Sequence, residues 1–147
     1  MRRLATVAAL TALLAGCSPD TSALDAQKPV QQKVTLEMAL IGPIEFFDMV
    51  VQWGHNNVAT QEERTPAPNW VKDLTLTWPD DKYVYVTGSA RKKPNVDDRL
   101  AFVNGQPSVE CRLRINGQVV ETDTSAAPQC DFNLSATPPP APSASAG

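Results

Sequence analysis

Few side chains in this chain can do covalent chemistry. They are three cysteines, Cys17, Cys111 and Cys130, one histidine, His55, and two carboxylate pairs, Asp80-Asp81 and Asp97-Asp98. A thiol is a nucleophile, an acyl acceptor or half of a disulfide, depending on its surroundings. His55 sits beside Gly54, Asn56 and Asn57. No serine or cysteine is placed by spacing to be activated by it, so it reads as a polar turn residue and no catalytic residue is assigned. The aspartate pairs lie next to proline or asparagine. A Ca²⁺ site needs several converging oxygens, and solvated turns are the simpler expectation, so no metal site is assigned. Zinc-ligand spacing and glycine-rich phosphate loops are missing from the sequence, and no cofactor is implied.

Cys17 closes Leu14-Ala15-Gly16-Cys17, directly behind an apolar run from Leu4 to Leu14 and the basic start Met1-Arg2-Arg3. That order is the layout of an export signal. The four residues resemble a bacterial lipobox, in which small residues admit the backbone to a narrow protease site and the thiol takes up a diacylglyceryl group. An ordinary signal peptide with a cysteine near its end is the plainer alternative. On the lipobox reading residues 1–16 are removed, and Cys17 anchors the chain to the outer face of the cell membrane. Buried acyl chains contribute about 0.8 kcal/mol per CH₂, and two or more together hold a protein stably. No apolar stretch reaches the roughly 20 residues that a spanning helix needs, so the expected attachment is an anchor.

Lipidation of Cys17 leaves an even pair. Export places Cys111 and Cys130 in an oxidising compartment, where a disulfide is the default. The bridge closes a loop of about 20 residues and stabilises by roughly 3 kcal/mol in the chain-entropy description. A redox-active pair is the alternative, although the spacing is far from Cys-x-x-Cys.

These groups need a scaffold, and the pattern between residues 33 and 134 is that of strands. Val34, Leu36, Met38 and Leu40 alternate with polar neighbours until Gly42-Pro43. Phe46 to Trp53 forms a second apolar run. Trp70 to Trp78 alternates again, with the stem of Lys72 tolerable on the apolar side. Tyr83 to Val86 and Leu100 to Val103 read as short strands. Val109 to Ile115, Asn116-Gly117 and Gln118 to Glu121 form the clearest hairpin, because Asn-Gly supplies the two positive-φ residues of a type I′ turn. About seven strands without a sustained helical period predict an all-β, antiparallel, immunoglobulin-like sandwich with one disulfide. Residues 17–32 are polar with prolines and read as a flexible tether. Residues 135–147 are rich in Pro, Ala and Ser and read as a disordered tail.

The formal charge is −3, and removal of Arg2 and Arg3 with the leader leaves 11 basic against 16 acidic residues, a net of about −5. That balance argues against a nucleic-acid partner. Trp53, Trp70, Trp78, Tyr83 and Tyr85 are many aromatic residues for so small a domain. Core packing absorbs some of them. Any that share an exposed sheet face form a candidate binding face for lipid, glycan or protein.

The segment Cys111-Arg112-Leu113-Arg114-Ile115-Asn116-Gly117-Gln118-Val119-Val120-Glu121, followed by Thr124-Ser125 and Cys130, resembles the mycobacterial small membrane proteins of the MmpS type. Those proteins accompany large RND-type exporters of envelope lipids and siderophores. Trp70 to Leu76 looks like that family's tryptophan-lysine strand, and Val84 to Ala90 sits where it has its next one. The likeness covers residues 33–132. A lipobox stands in place of the family's transmembrane helix, Arg91 to Pro107 looks like an insertion, and the stretch before Cys130 is shortened. The resemblance implies an actinobacterial envelope protein with an immunoglobulin-like sandwich, a Cys111–Cys130 bridge and an accessory role beside a membrane transporter. A lipid or small-ligand carrier is the alternative, and a wall hydrolase or redox enzyme a third.

Overall fold

The computed structural model describes residues 28–56, 60–103 and 105–140. The expected leader and Cys17 lie outside the described residues, as do residues 141–147 of the expected tail. The described chain forms two four-stranded antiparallel sheets facing each other. In chain order the strands are β1 (Val30–Ile41), β2 (Phe47–His55), β3 (Gln61–Thr65), β4 (Asn69–Trp78), β5 (Tyr83–Lys92), β6 (Ser108–Ile115), β7 (Gln118–Ser125) and β8 (Gln129–Asn133). One sheet runs β4-β1-β6-β7 and the other β3-β2-β5-β8. The immunoglobulin-like sandwich forms as expected, with a buried disulfide between its sheets and eight strands rather than about seven.

Alternation along β1 sets the inner face. Gln32, Val34, Leu36, Met38 and Leu40 are buried, while the residues between them are half-buried or exposed. Residues 30–32, read from sequence as the end of the tether, are the first three of this strand. Their pairing with β4 takes in the backbone from Val30, opposite Trp78, onward. Opposite β1 and β6, the second sheet contributes Phe47, Met49, Val51, Val84 and Val86 to the same core. Gly88 lies on that inner face, where a Cβ would collide with the terminal methyl of Met38. A larger residue here would have to displace the end of Met38 and crowd the Val50 carbonyl.

The hairpin legible in the sequence is built as read. Asn116 and Gly117 both have positive φ, at 51° and 85°, and the Asn116 side chain accepts from the Lys33 backbone N–H at 2.9 Å. One other expectation is corrected, and one strand goes unread in the sequence. Leu100 to Val103 is not a strand: Asp98–Ala101 is one helical turn (α1), started by the Asp97 side chain accepting from the Arg99 N–H at 2.8 Å. A local cap of this kind satisfies backbone groups that a strand would have had to pair elsewhere. Conversely, β3, the charged stretch Gln-Glu-Glu-Arg-Thr, is an edge strand without any apolar residue. Cross-strand contacts to β2 hold it, Gln52 to Glu62 at 2.7 Å and Arg64 to Asp48 at 2.7 Å.

Because every strand is antiparallel to its neighbours, the odd-numbered strands run toward one pole of the sandwich and the even-numbered ones back. The chain enters β1 and leaves β8 at the same pole, called basal below. There the Gln32 amide donates to the Ser135 carbonyl at 2.8 Å and the Leu134 N–H to the Lys82 carbonyl at 2.9 Å. Ser135, the first residue of the expected tail, thus lies against the domain. The connections 42–46, 66–68, 93–107 and 126–128 make up the other, distal pole. The 12 residues of β1 put about 40 Å between the poles.

Candidate functional site

Cys111 of β6 and Cys130 of β8 form the bridge expected of them, with their Cα atoms 6.0 Å apart. Both are fully buried and belong to the core cluster. Cys111 lies opposite Met38 on β1, and Cys130 opposite Val86 on β5, so the bond ties the two inner faces together.

The five aromatic residues do not share one face. Trp53 is paired with core residue Val86, Trp70 with Met38, and Trp78 with Val30 on the inner side of β1. All three indoles therefore point between the sheets, with Trp70 the most buried of them. Tyr83 and Tyr85 alternate with buried Val84 and Val86, which puts their rings on the outer face of the second sheet, stacked with centroids 5.9 Å apart. Gly54, opposite Tyr85 on β2, leaves room for that ring: a Cβ there would lie 2.9 Å from it. The Tyr85 hydroxyl meets Thr60 Oγ1 at 2.5 Å. Burial first, then the neighbouring Asp131 carboxylate, pushes the Tyr83 hydroxyl above its ordinary pKa.

Two of the indoles converge on a carboxylate that sequence reasoning missed. Glu63 of β3 lies opposite buried Val51, so it faces inward at the sheet edge. Its Oε2 accepts from Trp70 Nε1 at 2.9 Å and its Oε1 from Trp53 Nε1 at 3.2 Å. Lys72 Nζ lies 3.9 Å from the same carboxylate and 4.7 Å from the Trp53 ring centroid. The Trp70 N–H is the strongest influence holding Glu63 below its ordinary carboxylate value. Partial burial opposes it, and Trp53 and Lys72 add to the lowering. Two indole N–H groups, one from each sheet, are satisfied by the same carboxylate at this edge. This arrangement is a clamp between sheets, with its polar atoms already engaged by the protein.

His55 Nδ1 lies 2.8 Å from Asp81 Oδ1, which also accepts from the Asn56 amide at 3.1 Å, while Asp81 Oδ2 accepts from the Thr77 N–H at 2.9 Å. These contacts pin the turn between β4 and β5 to the end of β2. Asp97 caps α1, and Asp98 pairs with Lys92 at 2.5 Å. Among the described residues no three His, Cys, Asp or Glu side chains converge as metal ligands, and no helix is long and apolar enough to cross a membrane.

Two surface features remain. A depression of about 620 Å³ on the outer side of the β4-β1-β6 region is lined by Lys33, Thr35, Asp73, Thr75, Asn116 and Gly117, with Val34 and Leu74 behind them. The other is the distal pole. Of the seven large apolar side chains exposed among the described residues, five lie there: Ile41 at the end of β1, and Ile44, Leu100, Phe102 and Val103 on two of its connections. Val103 is 71% exposed and Leu100 59%, while Ala101 between them is buried and Phe102 packs edge-on against Phe47 at 5.5 Å. The apolar run 100–103 is visible in the sequence, but only its fold as a turn separates the one residue turned inward from those turned out.

No family model matches the chain, and no curated protein matches it.

Proposed function

We propose that the chain is a membrane-anchored extracytoplasmic lipoprotein acting as a non-enzymatic accessory module, its partner an RND-type exporter of envelope lipids or siderophores. The observation that carries this reading is the polarity of the domain. The chain joins the sandwich at the basal pole, and the exposed apolar side chains cluster at the distal one. A lipid on Cys17 then fixes the basal pole toward the bilayer and turns the apolar end to whatever stands beside it. The exporter as partner rests on the resemblance of the Cys111 hairpin to the MmpS-type proteins.

Cys17→Ala should shift the protein from the membrane pellet to the soluble fraction with its circular dichroism unchanged. A variant still sedimenting with membranes would overturn the anchor. Deleting the chain from its host should lower export of an envelope lipid or siderophore, with rescue by the full chain and not by Cys17→Ala. Unchanged export would remove the accessory role.

The depression beside Lys33 and Asp73 favours a second reading, a carrier of a lipid or small ligand. Its rim carries Lys33, Asp73, Thr35 and Thr75 around a floor that includes Val34 and Leu74. Native mass spectrometry of the protein from its host tests this reading: a co-purified ligand displaced by Asp73→Ala would support it, and an unliganded spectrum would count against it.

A further inference from the structure

We infer that the distal pole is the docking surface for a protein rooted in the same membrane, which presents an apolar patch about one domain length above the bilayer. The inference rests on the anchored reading above and names the place and chemistry of the contact.

Ile44, Leu100, Phe102 and Val103 are exposed on connections held to each other, and Ile41 is exposed at the end of β1 beside the first of them. The Lys93 backbone N–H donates to the Phe46 carbonyl at 2.9 Å and its ammonium to the Glu45 carbonyl at 3.0 Å, which joins the 93–107 connection to the 42–46 one. Gly42 approaches Pro107, so the far end of the longer connection returns to the same place. Apolar side chains on a braced loop bind with little loss of freedom, unlike those on a slack one. Beside them stand Arg91, Lys93 and Arg99, none with a carboxylate partner among the described residues. The acidic groups nearby are Glu45, Asp48, which lies opposite Arg91 but pairs with Arg64, Asp97, which caps α1, and Asp98, which Lys92 neutralises. An apolar centre with unpaired arginines at its margin is the make-up of a protein contact, and the facing surface should be apolar with an acidic rim.

Geometry chooses among the occupants. From Cys17 to the start of β1 there are 13 residues, and a coil of that length spans about 20 Å. The distal pole lies about 40 Å from the point where that tether enters. Folding back to touch the anchoring bilayer would demand a nearly straight tether along the domain's flank. A second copy docked pole to pole would point its tether the opposite way and could not share the membrane. A neighbouring protein that rises from the bilayer meets neither obstacle.

The test places the photo-crosslinking residue p-benzoylphenylalanine at Val103, or at Thr122 on the outer face of the other sheet as control, in the full-length lipidated chain in native membranes. At Val103 the expected adduct is with an integral membrane protein, identified by mass spectrometry. Its yield should fall at least about tenfold when Leu100→Asp or Cys17→Ala is added, and Thr122 should give little of it. An adduct with lipid or with a second copy, equal labelling at Thr122, or no adduct at Val103 would each overturn the inference. Labelling of a membrane protein from Thr122 alone would defeat the distal pole while leaving the accessory role standing. Labelling from neither position together with unchanged export on deletion would defeat both.

Discussion

The two open sides of the sandwich are closed by different chemistry. On the β7/β8 side a covalent bond joins Cys111 to Cys130 in the dry core. On the β3/β4 side the Glu63 carboxylate lies between the indoles of Trp53 and Trp70, with Lys72 close by. The first closure constrains the unfolded chain as much as the folded one and is insensitive to pH, but it depends on the redox state of the compartment. The second draws its strength from a charge that is still partly hydrated, so it is weaker and responds to pH. A small sandwich gains from closing both sides, and here one closure needs an oxidising environment while the other does not.

Breaking the covalent side should have the largest effect. A Cys111→Ser, Cys130→Ser double variant is expected to lose about 3 kcal/mol, as estimated for a loop of this size, read as a lower denaturation midpoint in urea. A loss near zero would mean that packing around the bridge already holds the sheets. Removing the carboxylate comes next. Glu63→Ala strands the largely buried Trp70 N–H without its acceptor and should cost about 1–2 kcal/mol, with a change in tryptophan fluorescence that the cysteine variant does not show. Indistinguishable melting and emission would reduce the clamp to an incidental contact.

The smallest effect is the dependence on pH. Glu63 titrates below its ordinary value of 4.5 in the folded chain. A lowered carboxyl contributes stability above the unfolded value, and that contribution fades as pH falls through the folded one. Its side chain is 43% exposed, so solvent screens the interaction and keeps the effect small. The gap in melting temperature between the wild type and Glu63→Gln should therefore be larger at pH 7 than at pH 3. A gap that widens toward acid would reverse the assigned sign. The disulfide variant should keep its own deficit across the same range as far as Glu63 is concerned.

These two sides also differ in how much of them could be read beforehand. Cys111 sits in a strand whose apolar alternation ends in Asn-Gly, so its burial and the hairpin follow from local pattern, and the even pair points to Cys130. β8 itself, only five residues long, offers no comparable periodicity. On the other side, the inward positions of β3 are Gln61, Glu63 and Thr65. An inward carboxylate contradicts the rule by which strands are recognised, and it is tolerated because two indoles from β2 and β4 reach it. Leu100 to Val103 fails in the opposite direction: its composition suits a strand, but Asp97 caps a helical turn and three of the four side chains remain in solvent.

By itself the sequence determined the class of fold, the faces of β1, β4 and β6, the Asn116-Gly117 turn and the pairing of the two buried cysteines. Alternation and turn chemistry are local, and the partner of a cysteine is a matter of parity and compartment. Only the tertiary structure decided that the tryptophans are interior and the tyrosines exterior, that Glu63 belongs to a clamp, and that the exposed apolar residues gather at the pole farthest from where the chain enters. Each of these depends on which strands lie opposite and which loops share an end. Contacts between residues distant along the chain set that arrangement, and no local period records it.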